Sequence, residues 1–174
     1  MRSRTFRALR LVVALVGLWA LGCVPSGAEE QETPAFAAAI REVPATVEQG
    51  LTAAARAGRP ISAKFEMDGD EAELTVYVAR PDGFREITIN PRNGSAAGAT
   101  IIGGGDDLKD AQEQAAAMTN AKITLLESAR HAVAAKPGAR VVSVFPTVQN
   151  GHATAVVTLL DGDNFTKVVE DLEK

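Results

Sequence analysis

From Ile61 the chain alternates. Ile61, Ala63, Phe65 and Met67 fall on one side, and Ser62, Lys64 and Glu66 on the other. A period of two predicts a strand with one face on a core. Asp68-Gly69-Asp70-Glu71 is turn chemistry, and Leu74, Val76 and Val78 then alternate with Thr75, Tyr77 and Ala79 in a second strand. Pro81-Asp82-Gly83 predicts a tight turn, because Pro presets φ and Gly accepts positive φ. Phe84 to Ile89 is a third strand, closed by Pro91-Arg92-Asn93-Gly94, and a short fourth ends at Ile102.

Helical spacing precedes this run. Phe36, Ala39, Ile40 and Val43 sit at i, i+3, i+4 and i+7, and Pro44 ends that face. Thr46-Val47-Glu48-Gln49 is a capping box, in which the hydroxyl and the Gln side chain satisfy each other's backbone N–H groups. The helix it opens carries Val47, Leu51, Ala54 and Ala55 on one side and is stopped by Gly58. Gly50 within it is expected to weaken it by about 1 kcal/mol. Gly103-Gly104-Gly105 then interrupts regular structure before a weakly amphipathic helix with Leu108, Ala111, Ala115 and Met118.

The opening pattern then returns. Thr124-Leu125-Leu126-Glu127 is a second capping box, Pro137-Gly138 a second helix stop, and "RVVSVFPTV" and "HATAVVTLL" flank the tight-turn pair Asn150-Gly151. Asp161 to Asn164 turns into a last strand from Phe165. Thr46 and Gln49 correspond to Thr124 and Glu127, and Ile61 and Phe65 to Val141 and Phe145. Leu74, Val76 and Val78 correspond to Ala155, Val157 and Leu159, and Phe84 and Ile87 to Phe165 and Val168. The expected fold is therefore α+β: two repeated α-β-β-β units, each a helix on an antiparallel meander, joined by a linker helix. Whether their sheets are separate or continuous is open at this level.

The first residues have a different character. Arg2, Arg4, Arg7 and Arg10 precede an apolar run from Leu11 to Leu21, too short for a membrane span and arranged as a signal peptide. Gly22-Cys23 resembles the lipidation site of bacterial lipoproteins, although Ala20 and Leu21 depart from its usual residues. Cleavage after Ala28 is the competing expectation, giving a secreted chain. Cys23 is the only cysteine, so no internal disulfide supports the fold. The expected division is residues 1–22 signal peptide, 23–34 anchor and tether, 35–102 first repeat, 103–122 linker helix and 123–174 second repeat.

Charge and motif content narrow the function. The net charge is −4, and removing the four leader arginines leaves −8, which disfavours nucleic acid as a partner. His131 and His152 form no metal-ligand spacing, and no serine sits in a nucleophile elbow. The chain reads as a non-enzyme with no cofactor. Two acidic turns, with Asp68 and Asp70 in one and Asp161 and Asp163 in the other, hold the oxygen ligands a hard divalent cation would take. Gly103 to Gly105 is no phosphate cradle, because Asp106 and Asp107 follow it.

The helix end "AAKPGARVVSV", the strand "ATAVVTLL" and the Asp-Gly turn after it resemble the PepSY family. That family closes its unit on an Asp-x-x-Thr-Gly turn. Asn90 to Gly94 keeps only the Gly, and Asp171 keeps the Asp. The resemblance implies a tandem PepSY-like envelope protein, periplasmic or on the outer surface, without catalytic residues. Its partner would be an envelope protein or a peptidase that it regulates or inhibits, met through sheet edges or an exposed sheet face, with the membrane reached through a lipid anchor. The alternative expectation is a divalent-cation-responsive envelope lipoprotein.

Overall fold

A computed structural model describes residues 32–174. The leader, Cys23 and most of the tether lie outside the described residues. The elements run α1 (Pro34–Glu42), α2 (Val47–Ala54), β1 (Arg59–Asp68), β2 (Glu71–Arg80), β3 (Gly83–Ile89), β4 (Ala96–Ile102), α3 (Gly105–Ala117) with a 3-10 turn Met118–Asn120, α4 (Leu125–Ala135), β5 (Arg140–Gln149), β6 (His152–Asp161) and β7 (Asn164–Asp171). Both capping boxes form as read. Thr46 and Thr124 accept from the backbone N–H of Gln49 and Glu127, whose side chains accept in return from the threonine N–H groups.

The sheets are continuous. One antiparallel sheet has the order β4-β3-β2-β1-β5-β6-β7, so the first strand of each unit meets its counterpart at the centre. That joint is short, with Ala63 opposite Val144 and Lys64 opposite Ser143. Bulges at Ile61 and Val142 interrupt the regular pairing of β1 with β2 and of β5 with β6 near it. The pairing partners correct the strand correspondence by one residue. Ser62 pairs with Tyr77 and Ser143 with Thr158, so Phe145 stands in the place of Lys64, and Pro146 in that of Phe65. Ala63 and Val144 are then equivalent and face each other, which puts a local two-fold axis between them.

The same two-fold relates details far from the joint. The N–H of Ala45, just before the first cap, donates to Pro91 O; that of Ile123, just before the second, donates to Leu172 O. Asn90 accepts from the N–H of Arg92, and Asp171 accepts likewise from Glu173. The two residues compared with the family's closing turn therefore make the same local turn.

Cross-strand neighbours share a face, which sorts the sheet into two sides. One carries Ala63, Phe65, Leu74, Val76, Val78, Ile87, Val144, Ala155, Val157 and Leu159, nearly all fully buried. Helices α2 and α4 cover it. Gly50 is not merely a weak point there, since a Cβ would lie 3.1 Å from Leu74, 3.2 Å from Ile89 and 3.3 Å from Val76. Its lack of a side chain sets how closely α2 approaches. Gly58 likewise has ordinary φ but would meet Ala79 O at 2.8 Å, so close approach rather than left-handed backbone selects it.

The opposite side is more polar, and α3 lies across it. Gln114 accepts from the Ser62 hydroxyl at 2.6 Å, and Ser62, Thr75, Ser143 and Thr158 are buried. Tyr77, on this side, has its hydroxyl pushed well above the usual range by burial, with Glu86, Glu66 and Asp107 adding negative charge nearby. The segment between the units is thus also a covering layer of the sheet. Helix α1 reaches into the second unit: Phe36 stacks on Phe165 at 6.0 Å, and Arg41 binds Gly162 O and Asp163, each at 2.7 Å. Arg140 returns the connection, donating to Val43 O and Ala45 O with its guanidinium 5.1 Å from the Phe65 ring.

Candidate functional site

The four aspartates singled out in the sequence lie at one end of the sheet, where β1 turns into β2 and β6 turns into β7. Strand β5 runs between the two hairpins, so the turns do not converge. Asp163 holds Arg41, and Asp161 lies 3.4 Å from Lys136. Among the described residues no group of three or more His, Cys, Asp or Glu side chains comes together in a form that could hold a metal ion. His131 faces Glu170 at 3.8 Å and His152 faces Glu173 at 3.2 Å, in separate surface pairs.

A concave feature among the described residues lies elsewhere. A cleft of about 660 Å³ opens over the outer side of α2, between the turn Asn93–Ala96 and α4. Gln49, Thr52, Ala53 and Ala57 form its floor, Gly94 and Ser95 one wall, and Glu48, Arg56 and Arg130 its charged rim. The capping box fixes the floor, because Gln49 is held by the Thr46 N–H. The wall is fixed with equal care. Gly94 has φ of 70°, and a Cβ there would fall 2.8 Å from the Gln49 side chain. Its N–H donates to Asn90 O, Asn90 N–H donates to Ser95 O, and Asn93 accepts from Ser95. The glycine that resembles the family's closing turn is thus pressed against the first capping box.

Arg56 and Arg130 are exposed, and among the described residues neither lies within ion-pair distance of a carboxylate. On a chain of net negative charge, a cleft rimmed by two exposed guanidinium groups, with Glu48 beside them, is a local concentration of positive charge that a carboxylate could meet. Its floor combines short aliphatic side chains, Ala53 and Ala57, with the polar Gln49 and Thr52. Sequence reading missed this site because its residues come from three separated segments. The available signal was modest: an arginine within the second capped helix and another just past the end of the first.

No family model matches the chain, and no curated protein matches it. In fold it is similar to the crystal structure of a candidate lipoprotein from Clostridium difficile 630, with a TM-score of 0.40 and 12% identity, covering 69% of this chain and 79% of that one. No helix among the described residues is long and apolar enough to cross a membrane.

Proposed function

We propose that this chain is a non-catalytic binding module of the cell envelope, exported by its leader, anchored through Cys23, and presenting the cleft over α2 to a carboxylate-bearing segment of a protein partner. The observation that carries this reading is the pair Arg56 and Arg130, both exposed at one cleft and neither held in a close ion pair among the described residues, although Glu127 lies near enough to Arg130 to feel its charge. The PepSY resemblance supplies the partner class, a secreted peptidase or another envelope protein whose activity the module restrains. The aspartate turns support the cation-responsive alternative less well, since two of the four carboxylates already face cationic side chains.

Charge reversal tests it. The double variant Arg56→Glu/Arg130→Glu is expected to lose at least about ten-fold in affinity for the partner captured by the unaltered chain, about 1.4 kcal/mol, and to lose any peptidase inhibition in parallel. Both residues are exposed, so the unfolding free energy should stay within about 0.5 kcal/mol of the unaltered chain's. Equal capture by both proteins, or no partner in envelope extract, would overturn the reading.

A further inference from the structure

The two edges of the sheet are built differently. Strand β7 carries Lys167, Glu170 and Asp171, and Lys167 is paired with Glu32 at 3.3 Å, so charged side chains and the start of the described chain guard that edge. Strand β4 has no such guard. Its sequence, AAGATII, contains no charge and no proline, every residue but Ile102 is exposed, and Ile101 is 69% exposed. Unpaired N–H and C=O groups along an uncharged edge form a template for another strand, which monomeric proteins usually block.

We infer that β4 pairs antiparallel with β4 of a second copy of this chain, extending the sheet across a two-fold axis. This goes beyond the proposed function and rests on a different surface. The occupant follows from the strand's own pattern. Ala97 is left over at the register shift against β3, so the regular part is Gly98 to Ile102. Pairing about Thr100 sets Ala99 opposite Ile101 of the second copy on the helix-covered side, and Gly98 opposite Ile102 on the other. Each large side chain meets a small one, and threonine meets threonine at the axis, a favourable cross-strand pair. No like charges are brought together. The guarded β7 edge disfavours the head-to-tail β4-to-β7 contact that would grow without limit, leaving the closed pairing. The chain already uses such a joint internally, where β1 meets β5 about the Ala63–Val144 pair. A single strand edge buries less than a standard interface, so the dimer is a reversible one.

Sedimentation velocity on the purified chain, from about 1 µM to about 500 µM, tests this. The expected result is a monomer–dimer equilibrium. Thr100→Lys puts two lysines across the axis and should raise the dissociation constant at least ten-fold, as should Thr100→Glu, while an equal mixture of the two variants recovers association. Val169→Lys, at an exposed position of β7, should change nothing. Circular dichroism confirms that each variant is folded. A monomer throughout the range, open-ended growth, a dimer as sensitive to Val169→Lys as to Thr100→Lys, or a mixture that fails to recover would each overturn the inference.

Discussion

At the residue scale, backbone N–H groups do most to fix the carboxylates of Glu127, Asp171 and Glu173. The Glu173 carboxylate accepts from Ala153 N–H at 2.7 Å and sits beside His152, and these contacts hold it below the usual carboxylate range. Asp171 is lowered first by the N–H of Glu173 and then by Lys174. A depressed folded-state value means stability that is present above the unfolded value, about 4.3 for Glu, and fades as pH falls through the folded one. Glu173→Gln is therefore expected to be less stable than the parent at pH 7. The gap should narrow as pH falls below the unfolded value and through the depressed folded one. Urea unfolding across a descending pH series measures it, and a gap that does not narrow would contradict the assignment.

At the element scale, the balance at α2 is between helix propensity and approach distance. Replacing Gly50 with Ala should gain roughly 0.5–1 kcal/mol of helix preference. It also inserts a methyl group 3.1–3.3 Å from Leu74, Ile89 and Val76, tighter than ordinary contact. Overpacking of that kind costs about 1–3 kcal/mol, so Gly50→Ala should destabilise on balance, by on the order of 1 kcal/mol. A denaturation midpoint higher than the parent's would show that α2 can lift without loss.

The same helix marks where sequence reading succeeds. Caps, turns and alternation are local, and Thr46, Thr124, Asn150-Gly151 and the Leu74–Val78 face were legible because each needs only near neighbours. The one-residue slip at Phe145 was not legible, because matching Phe65 to Phe145 by residue type fits an alternating strand equally well, and only the cross-strand partners fix the register. The layer formed by α3 was hidden for another reason. It covers polar side chains such as Ser62 and Thr75, so it lacks the apolar stripe that announces a covering helix. The cleft was less legible still, since Arg56, Gly94 and Arg130 share no local pattern.

At the scale of the whole molecule, the two units share one sheet and one core. Ala63, Val144 and their neighbours form a single buried cluster running from Phe36 to Leu172. Phe36 on Phe165 and Arg140 on the Val43 and Ala45 carbonyls both tie the second unit to the opening segment of the first. The repeats should therefore unfold together. A single transition is expected, with coincident far-ultraviolet and calorimetric curves and equal calorimetric and van't Hoff enthalpies. Two resolved steps would mean that the β1–β5 joint opens before either unit melts.

The position of Glu32 sets how the molecule would stand on a surface. Its ion pair with Lys167 brings the beginning of the folded part to the outermost strand, at the far end of the sheet from β4. Six strand spacings, about 29 Å, separate those margins. A chain anchored through Cys23 would be attached on the β7 side of its sheet, which leaves the unguarded β4 margin turned away from the attachment and open to a neighbour in the same layer.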